Sequence, residues 1–282
     1  MFDFANILFS GPCNARCPNC IGKRVDPRLN VNNLHHFPPK NLARFIDLLN
    51  QHQIRQVVFS GTNTDPLLYQ HQEKLLALLR NRLLPDTRIS LHTNGLLALK
   101  KIALFNSYDK VCISYPSFNR ATYHKMMGVS KPPDIVSIFR QSKIPVKISA
   151  LVTDINAHEI NAFLETCEQI GIQRLVLRKL YAEKRPWNAL INPKKLGLIF
   201  DGDYQGNPVY RFKELQVTLW DFENANCRSI NLFSSGLPYD RVAHHCRCTG
   251  QIPCDHGEVE GCQSKDKPFK RPILHPVPAA RS

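Results

Sequence analysis

The chain has 282 residues, a formal net charge of +14 and 43% hydrophobic residues. That length suits one large α/β domain with an appendage, or two domains, and the apolar fraction excludes a chain too polar to build a core. The positive excess favours an anionic partner (nucleic acid, a phosphorylated molecule or an anionic membrane surface) but is equally that of a generally basic enzyme.

Phe4 to Ser10 is apolar enough for a strand buried on both faces. Gly11, Pro12 and Pro18 suit the tight, irregular loop that follows, and 23–39 is polar and turn-rich. Pro38-Pro39 opens a helix on which Leu42, Phe45, Ile46 and Leu49 recur at helical spacing. Ile54 to Phe59 is the second strand, and Ser60 to Pro66 is its exit turn. A helix is expected over Leu67 to Leu84, a third strand over Thr87 to Thr93 and a helix over Leu96 to Phe105. Asp109 to Tyr115 is the fourth strand. Helical pieces run from Phe118 to Met127 and on to Ser142, broken at Gly128 and Pro132-Pro133. Pro145 to Val152 is the fifth strand, Asn156 to Ile170 a helix closed by Gly171, and Gln173 to Arg178 the sixth strand.

Six strands alternating with helices predict parallel pairing with right-handed crossovers. The fold class is α/β: a partial (β/α)6 TIM-like barrel over 1–180, with a small C-terminal α+β extension over 181–265 and a flexible proline- and basic-rich tail over 266–282. In the extension, 181–206 reads as helix and loop. Val209 to Phe212, Leu215 to Trp220 and Arg228 to Phe233 read as short strands of an added antiparallel unit. No apolar run approaches the roughly 20 residues that cross a bilayer. Met1-Phe2-Asp3-Phe4 lacks the features of a secretory signal. Ten cysteines in a chain read as cytoplasmic argue for metal or cluster ligation over disulfides.

The chemistry concentrates in Cys13-Asn14-Ala15-Arg16-Cys17-Pro18-Asn19-Cys20. Thiolates are soft ligands, and C-x3-C-x2-C spacing lets three of them address one small inorganic centre. Taken as residues, Cys17-x-x-Cys20 is equally half of a zinc site completed by Cys13 and His35 or His36, or a redox dithiol. Residues at the C-terminal ends of parallel strands line a ligand site, and the loop shares those ends with Gly61, Thr93-Asn94-Gly95, Ser114, Ser149 and Arg178.

Cys13, Cys17 and Cys20 after a first strand resemble the signature of the radical S-adenosylmethionine (radical SAM) superfamily. Thr93-Asn94-Gly95 resembles the branch holding molybdenum-cofactor and peptide-modifying enzymes. The resemblance implies a [4Fe-4S] cluster on the three cysteines, whose open iron takes SAM, and a 5′-deoxyadenosyl radical that abstracts hydrogen from a substrate. It implies a reductant such as flavodoxin or ferredoxin. It also implies SAM contacts from Gly61, Thr62, Asp65, Thr93, Asn94, Ser114, Ser149 and Arg178. The chain departs from the family's Gly-Gly-Glu-Pro-like turn after strand two, carrying Ser60-Gly61-Thr62-Asn63-Thr64-Asp65-Pro66 instead. Asp65 is equally an N-cap of the following turn. The substrate class stays open among RNA, a phosphorylated molecule and a peptide.

Cys246, Cys248, Cys254 and Cys262 are candidates for a second Fe–S cluster or zinc, although their spacing does not match the family's auxiliary-cluster patterns. The rival readings are a zinc-stabilised nucleic-acid-binding protein and a degenerate barrel that binds SAM without cleaving it. His92, His124 and His158 have no paired metal spacing and read as surface or core residues, and Met126-Met127 reads as helix packing.

Overall fold

The structure is a computed structural model and describes residues 2–236 and 238–242. Six parallel strands form its centre: β1 (Phe4–Phe9), β2 (Gln56–Gly61), β3 (Arg88–Thr93), β4 (Lys110–Ser114), β5 (Val146–Leu151) and β6 (Arg174–Arg178). The sequence places all six within two residues at either end. Each strand is apolar on the face turned to the helices, where Ile7, Phe59, Leu91, Ile113, Ile148 and Leu177 are essentially fully buried. The helices supply the complementary stripes. In α1 (Leu42–Gln51), Leu42, Phe45, Ile46 and Leu49 are the buried positions, as their spacing requires.

The helical segments are shorter than the periodicity predicts. The stretch expected as one helix from Leu67 begins as a single 3-10 turn, Pro66–Leu68, which Asp65 caps by accepting the Leu67 N–H at 2.9 Å. The chain then extends through Tyr69, whose buried ring donates its hydroxyl to the His36 carbonyl, and α2 (Gln72–Arg82) starts only after that. Likewise the turns after Gly95 shorten the next helix to α3 (Ile102–Phe105). Then come α4 (Arg120–Met127), capped by Asn119, α5 (Ile135–Gln141), capped by Asp134, and α6 (Ile160–Ile170). These caps satisfy amides that the helices cannot.

The C-terminal region is not a separate layer. After a short α7 (Trp187–Leu190), the segment 199–204, expected as helix or loop, is a strand, β7 (Ile199–Tyr204). It turns back through Gln205-Gly206, both at positive φ, into β8 (Asn207–Phe212). Two consecutive positive φ values match the right-handed twist of a two-residue hairpin. β9 (Leu215–Trp220) completes an antiparallel meander and pairs in parallel with β6. The chain then crosses to the opposite edge, where β10 (Arg228–Leu232) pairs in parallel with β1 and antiparallel with β11 (Pro238–Val242). The result is one eleven-stranded sheet, ordered β11-β10-β1-β2-β3-β4-β5-β6-β9-β8-β7. Among the described residues no helix is long and apolar enough to cross a membrane.

Candidate active site

The Cys loop leaves β1 and is tied to its neighbours at four points. The Asn63 side-chain oxygen, in the turn after β2, accepts from the Ser10 hydroxyl at 2.8 Å and the Gly11 amide at 3.0 Å. The Thr64 hydroxyl donates to the Pro12 carbonyl at 2.6 Å. The Asn94 side-chain amide, past the end of β3, donates to Asn14 at 2.7 Å and lies 4.0 Å from the Cys13 sulfur. The Arg16 amide donates to the Met127 carbonyl at 3.0 Å, at the end of α4. Gly128 follows at φ +64°, and a Cβ there would stand 2.5 Å from the Arg16 carbonyl oxygen. No side chain larger than hydrogen lets α4 approach the loop this closely.

The three thiols occupy one neighbourhood. The Cys13 sulfur accepts the Ala15 amide at 3.4 Å, the Cys17 sulfur lies 3.8 Å from the Met127 sulfur, and the Cys20 thiol reaches the Thr62 carbonyl at 3.7 Å. Burial pushes the Cys17 thiol up to about 11, and the nearby Cys20 and Cys13 push the same way. Burial also raises Cys13, with Asp65 and Cys20 adding to the effect. Three soft donors in one loop, two of them with ionisation opposed by burial, are a donor set that a positively charged iron–sulfur centre would satisfy. Among the described residues no three His, Cys, Asp or Glu side chains are already gathered around the position of a single metal ion.

The residues expected at the site fall into two groups. In the first, Gly61, Thr62, Asp65 and Thr93 make internal contacts. A Cβ at Gly61 would lie 1.7 Å from the Thr64 carbonyl oxygen, so the tight turn itself requires glycine there. The Thr62 hydroxyl meets the Phe9 carbonyl at 3.1 Å and also hydrogen-bonds Asn30. The buried Asp65 carboxylate accepts the Leu67 amide, the Thr93 hydroxyl and, at 2.6 Å, the Asn94 amide. Burial pushes the Asp65 carboxyl above its ordinary value, and those hydrogen bonds oppose the shift.

The second group faces the concave side of the sheet. Ser114 and Ser149 are registered partners on β4 and β5, and Arg178 ends β6 beside Leu151. Ser114 is exposed and Ser149 buried. The Arg178 Nε is buried with no hydrogen-bond partner. His92 lies on the same concave side, where burial and then Arg178, Lys147 and Lys110 hold its pKa well below the usual value. Met126 and Met127 are buried packing residues.

Sequence reasoning passed over Asn63, Asn14 and Gly128 as tethers of the loop. Their signal was the density of Asn and Gly around the cysteines, which does not by itself say which partner each side chain takes. Cys246, Cys248, Cys254 and Cys262 lie outside the described residues, as does the 266–282 tail. Cys227, just before β10, is half-buried.

The family model of the radical SAM superfamily matches residues 7–167, from within β1 to within α6. The chain belongs to the radical SAM superfamily. Among solved structures, Streptococcus suis SuiB bound to S-adenosylmethionine matches with a TM-score of 0.52 and 15% identity, over 70% of this chain and 46% of SuiB. SuiB bound to precursor peptide SuiA matches with a TM-score of 0.50 and 17% identity, over 64% of this chain and 40% of SuiB. Native anSMEcpe with bound AdoMet matches at 21% identity and a TM-score of 0.49, over 68% of this chain and 57% of that one. The chain thus spans less than half the length of the SuiB structures, and at these identities the likeness is one of fold. No curated protein sequence matches the chain. The radical SAM fold is extended here at both edges of the sheet by strands that follow residue 198.

Proposed function

We propose that this radical SAM protein is an enzyme that holds a [4Fe-4S] cluster on Cys13, Cys17 and Cys20 and binds SAM across the C-terminal ends of β2 to β6. A cluster held there would pass one electron from a reductant such as flavodoxin or ferredoxin to SAM, for cleavage to methionine and a 5′-deoxyadenosyl radical that would take a hydrogen atom from the substrate. The observation that carries this reading is the convergence of the three thiols of one loop beside Thr62, Asn94 and Met127. Asn94 braces the cysteine loop through Asn14, and Asp65 braces Asn94. The Gly61–Thr64 turn presents backbone close to Cys20 through the Thr62 carbonyl. Ser114, Ser149 and Arg178 line the concave wall and offer hydroxyl and guanidinium donors to the SAM carboxylate or ribose.

The test is anaerobic reconstitution of the full chain with iron and sulfide, followed by SAM and dithionite. The expected result is brown charge-transfer absorption and formation of 5′-deoxyadenosine, both lost in a C13A/C17A/C20A variant. A colourless protein that retains zinc under the same handling overturns the proposal in favour of a zinc site. A clustered protein that binds SAM but never cleaves it, with or without cell-extract metabolites, marks a degenerate barrel.

A further inference from the structure

The concave wall carries more cations than carboxylates. Side chains alternate along a strand. Ile89 and Leu91, Val111 and Ile113, Val146 and Ile148, and Leu175 and Leu177 all pack in the apolar core. The intervening residues therefore face the concave side. On β4 these begin with Lys110, on β5 with Lys147, and on β6 they are Arg174, the apolar Val176 and Arg178. Register aligns them: Cys112 pairs with Lys147, and Lys147 and Arg174 each immediately precede the registered pair Ile148–Leu175. Arg174 to Arg178 spans about 13 Å at roughly 3.3 Å per residue. The cations thus run from the N-terminal rim of the wall up to the level of the SAM-facing ends.

Among the described residues none of Lys110, Lys147, Arg174 and Arg178 has an ion-pair partner. The strand residues on this wall include Ser90, His92 and Cys112 but no carboxylate. Their proximity shows in their electrostatics. Lys147 is depressed by burial, against an opposing pull from Cys112, with Arg178 and Arg174 adding to the depression. Lys110 is depressed by burial and by Lys147, Arg174 and Arg88, against an opposing pull from Asp109 just before β4. The fold does pair a buried lysine elsewhere: Lys179 meets Asp221 at 2.7 Å. Arg174 is exposed and Lys110 half-buried, so the cost of leaving a charge unpaired falls on Lys147, the most deeply set of the cations. The Arg178 Nε adds a buried donor without an acceptor.

We infer that the substrate of this site carries a phosphate or diphosphate group, which lies along the concave wall between Lys110, Lys147, Arg174 and Arg178. This rests on the reading of the site as a SAM enzyme only for the word substrate; the anion site stands on the wall alone. Several point charges and two guanidinium forks at different heights suit an anion bearing more than one negative charge. A single carboxylate would leave most of them unmatched.

The probe is inorganic pyrophosphate, titrated calorimetrically into the reconstituted full chain, with citrate and a short poly-glutamate peptide as comparison anions. SAM affinity is measured separately. The expected result is saturable pyrophosphate binding, weakened at least tenfold in Lys147→Met and in a K110M/R174Q double variant. An exposed control of equal charge change, Lys194→Met, is expected to bind as the wild type does. SAM affinity is expected to change less than twofold in K110M/R174Q, because those residues lie at the far rim from the cysteine loop. Pyrophosphate is also expected to raise the melting temperature of the wild type and not that of Lys147→Met, a readout that a merely structural lysine would not give. Absence of binding, equal weakening by Lys194→Met, or tighter binding of citrate or poly-glutamate overturns the inference. Pyrophosphate binding in a protein that never cleaves SAM would leave it standing while the proposed reaction fails.

Discussion

The Asp65 carboxylate accepts the backbone N–H of Asn94 at 2.6 Å, so the turn after β2 fixes the residue that braces the cysteine loop. The same carboxylate accepts from Leu67 and Thr93. Asp65→Ala strands three buried donors and is expected to cost about 3–5 kcal/mol, since each orphaned group costs about 1–3 kcal/mol. Asp65→Asn keeps the shape but offers one acceptor oxygen, and is expected to cost less. Urea denaturation gives the stabilities. SAM titration of the folded Asn variant should show weakened binding, because Asn94 loses its anchor. Unchanged SAM affinity in that variant would confine Asp65 to stability.

Gly128 sets the distance between α4 and the cysteine loop. Gly128→Ala meets the Arg16 carbonyl and a left-handed backbone at once. A cost of at least about 1 kcal/mol is expected from the backbone alone. Gly197 also has positive φ, but a Cβ there would meet nothing within 4 Å. Gly197→Ala should therefore lose similar backbone energy and keep its iron. Iron retained after gel filtration, compared at equal folded fraction, should fall only in the Gly128 variant.

Lys179 and Asp221 form a buried ion pair at 2.7 Å, with the ammonium 5.6 Å from the centroid of the Trp187 ring. It joins the end of β6 to the segment after β9. Lys179→Met alone leaves a buried carboxylate without its cation, and a loss of about 3–5 kcal/mol is expected. Lys179→Met with Asp221→Asn should recover much of that loss. A double-mutant cycle by chemical denaturation measures the coupling, and additive losses would show the two residues to be independent.

Burial and the neighbouring guanidinium groups hold the Lys147 ammonium below its ordinary value of 10.5. In the window between the folded and the unfolded values the unfolded chain binds more protons. Stability therefore rises with pH through that window, and the penalty for burying Lys147 charged is largest below it. Lys147→Met should be more stable than the wild type at neutral pH, and the gap should narrow as pH rises toward 10.5. Denaturation curves across this range test the sign: a gap that widens with pH would contradict it.

The central strands were legible because their period and composition act locally. A run such as Val57-Val58-Phe59 has few alternatives to a buried strand. The cysteine spacing was legible for the same reason, since Cys13, Cys17 and Cys20 lie within eight consecutive residues. What escaped depends on pairing at a distance. Ile199–Tyr204 lacks apolar alternation and becomes a strand because the turn at Gln205-Gly206 folds it onto β8. The helix expected from Leu67 yields to the capping of Asp65 and the anchoring of Tyr69 to His36, contacts between segments that periodicity does not see. Asn63 and Asn14 are polar loop residues like many others until Ser10, Gly11 and Asn94 come within reach.

The pairing of β1 with β10 sets an order on biosynthesis. The cysteine loop leaves the ribosome well before Arg228–Leu232, and until that strand has been made the strand preceding the loop keeps one hydrogen-bonding edge bare. A nascent chain halted near residue 180 would expose that edge and the outer edge of β6 together, since β9 is also still to come. Bare parallel edges recruit other chains. The loop's own tethers at Asn63, Thr64, Asn94 and Met127 all emerge before either outer strand, so the loop is held on the central sheet before that sheet is closed at its edges.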